Sequence, residues 1–384
     1  MRTQLFFPLL FTLTLNANAL ADSPRDLKFS RACEAGQTLT LAAVGDVLLH
    51  AQLQAQAQQS GHQSLWYGVK DLIQAADLAY ANLEGPTAEG VVRGGRIKQT
   101  ASIFDNEAYT GYPTFNYHPS LNFALRDAGF DFVSTANNHS MDRGAIGVDK
   151  TIESLRRAGL PFAGTRTSAE SARGTSSTWH SITDKNGWRI AWIACSFSTN
   201  GLPDNKQQVL MCFKNADLIE KAIRSLSQDP TVDAVIVTPH WGEQEYTHAI
   251  EPSQAKLARR FLNAGATAIF GNHPHVTKPW EKIVTEDGRE TFVIYSIGNF
   301  VSAQGTTAKQ TSAIVYLGLT KTPGNKAFIN GVRYVSLFMK RAPYTLVAGE
   351  EAPREANQLL ARLLGTDRSM GSRDRLDTNP ECRF

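Results

Sequence analysis

Residues 269–276 read Ile-Phe-Gly-Asn-His-Pro-His-Val, and this stretch decides how the rest of the chain is interpreted. The apolar run Ala266–Ile269 predicts a short buried strand that leads into it. Pro274 disfavours the α region for His273, and residues two apart in extended backbone point to the same side. We therefore expect the imidazoles of His273 and His275 to face one spot at the carboxyl end of a strand, where open α/β sheets place their ligands. Two surface histidines on a turn are the alternative that this motif alone leaves open.

Length, composition and charge narrow the class of protein. The chain has 384 residues, 42% of them apolar, and a formal net charge of +3. This length suits one large domain or two ordinary ones. The near-balanced charge gives no reason to expect nucleic acid as a partner. After the first 21 residues no stretch approaches the ~18 apolar residues of a membrane span, so we expect none in the mature chain.

The first 21 residues have the pattern of a cleaved signal peptide. Arg2 supplies a positive start, Leu5–Leu15 is a short apolar run, and Ala19-Leu20-Ala21 is a small-x-small cleavage site before Asp22. A membrane anchor is the alternative, but the apolar run is too short to cross a bilayer. We therefore predict a soluble, exported mature protein that is periplasmic or secreted.

Four cysteines lie in the predicted mature chain, namely Cys33, Cys195, Cys212 and Cys382. An even number in an oxidising compartment favours disulfides, and three pairings are possible. We favour Cys195 with Cys212, which bracket an irregular loop after a strand. Cys33 with Cys382 would then tie the two ends of the mature chain together.

Strand and helix patterns alternate through the first half of the mature chain. This alternation predicts a parallel sheet with right-handed crossovers. The strands are Thr38–Val44, Asp77–Ala81, Phe130–Ser134 and Leu160–Ala163. Asn186-Gly187 then predicts a hairpin turn, so we expect an antiparallel portion to begin there. Further strands and helices continue to residue 345, and residues 346–384 read as a C-terminal helix and a polar tail.

Potential metal ligands recur just past the predicted strands. They are Asp46, Glu84, Asn138, His240, His273 and His275, and His139 and Asp142 stand beside Asn138. A mixture of carboxylate, amide and imidazole suits manganese, zinc or iron better than calcium. A carboxylate that can bridge, together with several histidines, indicates two divalent metals close together. We therefore predict one or two divalent transition metals as cofactors.

These motifs resemble the calcineurin-like metallophosphoesterases and, more closely, the bacterial CapA family of capsule or poly-γ-glutamate synthesis proteins. The matching pieces are Gly45-Asp46, Asn82-Leu83-Glu84, Asn137-Asn138-His139 with Asp142 and Gly144, His240-Trp241-Gly242, residues 271–276 and residues 295–300. They span residues 39–302. The resemblance implies a four-layer α/β/β/α sandwich, here residues 22–345, with the site at the sheet edges.

The resemblance also implies a role for each site residue. Asp46, Glu84 and His275 would hold one metal, and Glu84, Asn138, His240 and His273 the other, with Glu84 bridging. His139 matches a histidine that acts as an acid in phosphoester cleavage, and Asp142 would orient it. Leu48 stands where the phosphoesterases usually have a histidine, and Glu84 where they usually have an aspartate. We therefore expect the first metal site to be weaker or empty, with His50 as an alternative ligand.

Two classes of function follow. The first is an exported metal-dependent hydrolase of a phosphoester or a γ-glutamyl polymer, acting in capsule or poly-γ-glutamate synthesis or processing. The second is a non-catalytic factor that binds the polymer for export. We favour the enzyme. Its partners would be an anionic substrate or polymer and a membrane capsule-synthesis complex.

The segment 86–117 lacks clear periodicity, so we predict a long loop without helices or strands. Loops of this length are uncommon unless they are functional or disordered. It begins just after Glu84 and carries Arg93, Arg96 and Lys98 around two glycines. A guanidinium group suits carboxylate or phosphate. We therefore expect Arg93 and Arg96 to bind the anionic substrate, with a solvated charged loop as the alternative.

Overall fold

The computed structural model of the chain describes residues 27–174 and 179–382. The predicted signal peptide, residues 1–21, lies outside these ranges. Within the described residues, two β-sheets are stacked and each is covered by helices. None of the helices in these ranges is long and apolar enough to cross a membrane.

The described strands, in chain order, are β1 (Gln37–Val47), β2 (Leu78–Leu83), β3 (Phe132–Ser134), β4 (Phe162–Ala163), β5 (His180–Lys185), β6 (Trp188–Ser196), β7 (Ala234–His240), β8 (Ala268–Phe270), β9 (Lys278–Val284), β10 (Glu290–Ser296), β11 (Asn299–Val301), β12 (Thr311–Lys321), β13 (Phe328–Lys340) and β14 (Thr345–Ala348).

The described α-helices are α1 (Ala51–Ser60), α2 (Lys70–Gln74), α3 (Ser120–Ala128), α4 (Gly144–Ala158), α5 (Ser168–Ala172), α6 (Ala216–Gln228), α7 (Pro252–Ala264), α8 (Thr307–Gln310) and α9 (Arg354–Leu364). Helix α7 is amphipathic, begins with proline at its first position and is preceded by a capping box. These are the signals that start a helix.

The first sheet has the strand order β14-β13-β12-β1-β2-β3-β4, and β11 pairs with the end of β1. Strands β1 to β4 are parallel, as the alternating pattern predicts. Strands β12 to β14 extend this sheet on the other side of β1 as antiparallel neighbours.

The second sheet has the order β5-β6-β7-β8-β10-β9. The hairpin at Asn186-Gly187 joins β5 to β6 and is antiparallel, as predicted. However, β6, β7, β8 and β10 are parallel. The expected antiparallel portion is therefore limited to the two edge pairs, because α6 and α7 are crossovers that return the chain to the same end of the sheet.

Three apolar cores separate the layers and confirm the α/β/β/α sandwich. Strand β1 contributes Leu39 and Leu41 to the core between the sheets, and Ala42 and Val44 to the core under α1, α3 and α4. This alternation is the two-residue period of a strand that is buried on both faces. A third core lies under α6 and α7 on the outer face of the second sheet. Helix α9 inserts Leu360 into the core between the sheets.

Strand boundaries differ from the predictions at the site. Gly45 does not end β1, which continues through Asp46 because the backbone N–H of Asp46 donates to Gly298 O at 3.0 Å. A Cβ atom at Gly45 would lie 1.7 Å from that oxygen, so only glycine fits this close approach. Strand β7 likewise runs through His240, which pairs with Ser196.

The segment between β2 and α3 contains no helix or strand in the described structure, as its sequence predicts. It is nevertheless well anchored. The Asn116 amide bonds the backbone of Ala88, Val91 and Ala108. The buried guanidinium of Arg143 bonds the Val91 carbonyl at 2.9 Å. The two predicted disulfides, Cys195–Cys212 and Cys33–Cys382, are both present.

Candidate metal centre

The predicted ligands come together at the carboxyl ends of parallel strands from both sheets. Asp46 lies near the end of β1, Glu84 directly follows β2, and Asn138 follows β3 by a short loop. His240 is the last residue of β7. His273 and His275 follow β8, and the two histidine rings have centroids 6.0 Å apart. Stacking of the two sheets thus places all six side chains at one edge.

Carboxylates and imidazoles alternate around the centre of this cluster. Asp46, Glu84 and His240 each contribute one potential ligand atom, and these three atoms lie within 4.8 Å of one another. Glu84 Oε1 lies 3.6 Å from His240 Nε2 and 3.8 Å from His275 Nε2. Asp46 Oδ2 lies 3.3 Å from His275 Nδ1. Glu84 Oε1 therefore lies between two imidazoles.

The other predicted ligands surround His240. The His240 Nε2 atom lies 2.9 Å from Asn138 Oδ1 and 3.2 Å from His273 Nδ1. The Asn138 amide nitrogen donates to Asn200 Oδ1 at 3.2 Å, which turns its oxygen toward the imidazoles. The structure thus brings together every residue of the predicted ligand set.

The backbone of the two histidines that follow β8 was predicted incorrectly. His273 and His275 have φ angles of 102° and 57°, so neither is extended. Their rings still face the same cluster, because the loop is held at several backbone points. Asn272 donates to Pro239 O and accepts from Trp241 N, and Tyr246 N donates to Pro274 O. Positive φ in non-glycine residues costs about 1–3 kcal/mol each and is frequent at functional sites.

Burial and charge set the protonation of the imidazoles. Burial, reinforced by His273, His275 and His139, holds the pKa of His240 well below its usual range. Burial, with His275 and His139, does the same for the pKa of His273. Both are therefore neutral at pH 7, the form in which histidine binds metals.

The remaining imidazole and its nearest carboxylate behave in the opposite way. Burial disfavours protonation of His275, but Glu84 and Asp46 outweigh it and raise the pKa of His275 to about 9. Burial raises the pKa of Glu84 well above its usual value, and Asp46 adds to this effect. A positive charge is thus favoured between these two carboxylates.

The donor set fits a divalent metal. Asp46 Oδ2 and both Glu84 oxygens are buried, and within the described residues none of them receives a hydrogen bond. Buried polar atoms nearly always have a partner, and an unpaired carboxylate is especially costly. The neutral imidazole of His240 lies 3.6 Å from Glu84 Oε1. The three unpaired oxygens are accounted for if they coordinate a cation together with the histidines.

A buried polar network holds the first carboxylate in place. The Asn82 amide nitrogen donates to Asp46 Oδ1 at 2.8 Å and lies 3.1 Å from His240 Nδ1. The Asn82 oxygen accepts from Ser134 Oγ, which contacts the hydroxyl of Tyr80. Asn82 was part of the recognised motif, but the sequence did not reveal its role because these partners come from three other strands.

Asn299 performs a similar function for His275. Its Oδ1 atom lies 3.0 Å from His275 Nδ1, and its amide nitrogen donates to the carbonyls of His275 and Lys309. Partners of this kind fix the orientation of metal-ligating imidazoles. Phe197 packs on the other side of the cluster, with its ring centroid 4.4 Å from that of His273. Asn299 belongs to the recognised stretch 295–300, but the sequence did not reveal its role, and sequence reasoning missed Phe197. Each residue approaches the site from a distant part of the chain.

His139 and Asp142 form a buried pair next to the cluster. His139 Nδ1 lies 2.8 Å from Asp142 Oδ2, which also accepts the backbone N–H of Phe115 at 2.6 Å. The ring of Phe115 packs edge-on against His139 at 4.7 Å. The carboxylate thus fixes the imidazole through Nδ1 and leaves Nε2 as the ring nitrogen that Asp142 does not engage.

The remaining predicted residues lie outside this cluster. Leu48 is 2% exposed and packs in the apolar core under α1. His50 turns its Nδ1 toward Leu48 O, and burial lowers the pKa of His50 to about 4. Arg93 and Arg96 are exposed on a short turn that is closed by pairing of Val91 with Ile97.

The chain has relatives among known proteins. The family described as bacterial capsule synthesis protein PGA_cap matches residues 40–304. Capsule biosynthesis protein CapA of Bacillus anthracis is 28% identical over 287 residues, which is 73% of this chain and 63% of that protein. PGA biosynthesis protein CapA of Bacillus subtilis is 29% identical over 284 residues, or 74% of this chain and 68% of that protein. This chain therefore spans about two thirds of the length of these two relatives.

Among solved structures, the calcineurin-like phosphoesterase YfkN from Bacillus subtilis aligns with a TM-score of 0.41 and 13% identity, covering 87% of this chain and 98% of that chain. The layered architecture itself rests on the sheets and cores described above. Since the family match extends over more than half of the sequence and includes every candidate ligand, the chain belongs to the bacterial capsule synthesis protein family PGA_cap.

Proposed function

We propose that this chain is an exported, metal-dependent hydrolase that cleaves a phosphoester or γ-glutamyl bond of an anionic polymer during capsule or poly-γ-glutamate synthesis or processing. One observation carries the proposal. Two fully buried carboxylates, Asp46 and Glu84, leave three oxygens without hydrogen bonds among the described residues and face a set of imidazoles. Such a cluster is costly for the fold unless it binds a cation.

Asp46, Glu84 and His275 would hold one ion, and Glu84 would share a second with Asn138, His240 and His273. A divalent transition metal at this place supplies Lewis acidity, which activates water near neutral pH and stabilises negative charge on a phosphoryl or carbonyl oxygen. The mixed nitrogen and oxygen donors suit manganese, zinc or iron.

His139 would serve as the general acid. Asp142 holds its Nδ1 side at 2.8 Å, so Nε2 is the nitrogen that donates a proton to the leaving group. Phe115 packs against the imidazole of His139, and Phe197 packs against that of His273. An imidazole that is fixed through one nitrogen and has the other left for proton transfer can act as a general acid.

Arg93 and Arg96 would attract the anionic chain from the turn at residues 91–97. Both side chains are exposed, so their contribution is long-range steering rather than a buried contact. Replacing both with glutamine should weaken binding of poly-γ-glutamate at low salt. The loss should shrink as salt rises, because exposed charges are screened beyond ~8 Å at physiological ionic strength.

Export is supported by the signal-peptide pattern of residues 1–21 and by two disulfides. Disulfides form and persist in oxidising compartments. The chain would therefore act outside the cytoplasm, and a membrane capsule-synthesis complex is the partner that the family relationship suggests.

A non-catalytic polymer-binding factor is the second candidate. Leu48 favours it, because an apolar residue packed in the core occupies the position where phosphoesterases usually have a histidine. Under this alternative the same cluster would bind a metal or polymer without turnover.

The deciding experiment measures hydrolysis by protein purified without chelator and loaded with manganese, zinc or iron. The substrates are bis(p-nitrophenyl) phosphate and poly-γ-glutamate. We expect turnover by the parent, a loss of turnover in His240→Ala, and no change in the matched control His180→Ala, which lies on β5. Metal-loaded parent protein that binds poly-γ-glutamate and cleaves neither substrate would favour the second candidate.

A further inference from the structure

We propose that Tyr246 and Lys309 form the subsite that binds an oxyanion of the substrate, a carboxylate or a phosphate, beside the metal centre. This inference rests on the proposed function and names how the substrate is held. It assigns Lys309 as the cation that contacts the anion and Tyr246 as the platform that positions this cation.

The backbone of Tyr246 is fixed in an unfavourable conformation. Its φ angle is 62°, in the left-handed region that bulky side chains rarely adopt. Its N–H donates at 2.9 Å to the carbonyl of Pro274, the residue between His273 and His275. The loop that carries Tyr246 is thus bonded directly to the loop that carries two candidate ligands. Conformations of this kind persist where the surrounding structure enforces them, and they cluster at ligand clamps.

The ring of Tyr246 connects the metal centre to the cation. It stacks on His275 with centroids 6.0 Å apart and an angle of 26° between the planes. Lys309 Nζ lies 4.1 Å from the centroid of the same ring, which is a cation–π contact. Tyr246 nevertheless remains 49% exposed, so a substrate can reach this place from solvent.

The backbone of Lys309 is also tied to the metal centre. Its carbonyl oxygen accepts a hydrogen bond from the Asn299 amide at 2.9 Å, and Asn299 Oδ1 lies 3.0 Å from His275 Nδ1. Lys309 is therefore held on both sides, by its backbone through Asn299 and by its side chain through Tyr246. A pre-positioned cation loses less conformational entropy when it binds an anion.

Charge explains why an anionic substrate needs this lysine. Asp46 and Glu84 lie in the centre, and Glu245 lies near enough to act on both Glu84 and His275. An approaching oxyanion is therefore repelled by carboxylates. The Lys309 ammonium has no carboxylate within 4.0 Å among the described residues, which leaves its charge available to offset this repulsion.

The test is isothermal titration of metal-loaded protein with two probes, inorganic phosphate and a γ-linked glutamate oligomer, at low salt. Lys309→Gln should weaken binding of at least one probe about tenfold, which corresponds to about 1.4 kcal/mol, because the variant loses a hydrogen bond between charged groups. Lys309→Arg should restore most of the loss. Tyr246→Ala should weaken binding in the same direction, whereas Tyr246→Phe, which keeps the ring, should bind nearly as the parent does.

Lys256→Gln is the matched control, because it removes the same charge from an exposed position on α7. Metal content is measured for every variant and should be unchanged. A tenfold loss with phosphate or with the glutamate oligomer supports the subsite and identifies the oxyanion. Equal affinity of Lys309→Gln and the parent for both probes overturns it, as does a parent that binds neither. If the parent binds the probes and hydrolyses nothing, the subsite stands and the proposed hydrolase activity fails.

Discussion

Replacing Glu84 with glutamine should change stability in opposite directions with and without metal. Glutamine has nearly the same shape as glutamate but no charge. In the metal-free parent both Glu84 oxygens are buried and lack a donor within the described residues. The glutamine amide also brings a donor into the cluster, in which Asp46 Oδ2 is unpaired as well.

The size of each effect follows from this geometry. An unsatisfied buried group costs about 1–3 kcal/mol, and more when it is charged, so the metal-free variant should be more stable than the metal-free parent by about that amount. With metal at 1,000 times its Kd, binding adds about 4.1 kcal/mol to the parent, and the variant should lose most of this gain. The order of stability should therefore reverse on adding metal.

The pH dependence has a defined sign. Burial, followed by the charge of Asp46, raises the pKa of Glu84 in the folded chain. Ionisation of Glu84 therefore penalises the fold. The penalty is complete above the folded pKa, shrinks as pH falls below it, and is gone below the pKa of the unfolded chain. The advantage of the metal-free variant should be largest at high pH and should shrink on acidification.

The assay is urea unfolding with EDTA and with saturating manganese or zinc. Glu355→Gln, at an exposed position on α9, is the matched control and should shift neither curve. A Glu84→Gln variant that keeps full metal content, or that is less stable than the parent in EDTA, would refute our interpretation of the unpaired oxygens.

Three further perturbations test other parts of the site. His139→Ala should keep its metal and lose about 10²–10⁴-fold in kcat; a fully active variant would remove the proton-donor role. The double replacement Cys195→Ser and Cys212→Ser opens a loop with a sequence separation of 17, and it should lower the free energy of unfolding by about 3 kcal/mol. It should also weaken metal binding, because residues 196–213 would no longer be held. Chemical denaturation and metal titration measure these two effects, and unchanged values would contradict the prediction. Because Glu84 and Asp46 raise the pKa of His275 to about 9, metal binding to this imidazole at pH 7 should release a proton. Metal affinity should therefore rise roughly tenfold per pH unit up to about pH 9. Calorimetry in two buffers detects the released proton, and binding without release would contradict the assignment of His275 as a ligand.

The architecture was largely predictable because it depends on local patterns. Alternating strand and helix segments were enough to expect β1 to β4 as parallel neighbours, and Asn186-Gly187 marked the hairpin between β5 and β6. The ligand positions followed from the same reasoning. Parallel strands end at one edge of a sheet, so polar residues that follow several buried strands meet there.

Details that depend on distant contacts were not predictable in the same way. Asp46 lies inside β1 because Gly298, from a segment about 250 residues further along, accepts its N–H. The left-handed backbone of His273 and His275 is imposed by the neighbouring loops. Asn299 and Tyr246 reach His275 only through contacts between segments that are distant in the sequence. Local propensity contains none of this information, because tertiary contacts override it.

The most direct test of the metal centre is the metal content of the purified chain. It is measured by elemental mass spectrometry after loading with manganese, zinc and iron in turn. We expect one or two ions per chain in the parent and a clear reduction in both His240→Ala and His273→Ala, with His180→Ala unchanged. A parent that retains none of the three metals, or variants that keep the full parental content, would contradict the assignment of these residues as ligands.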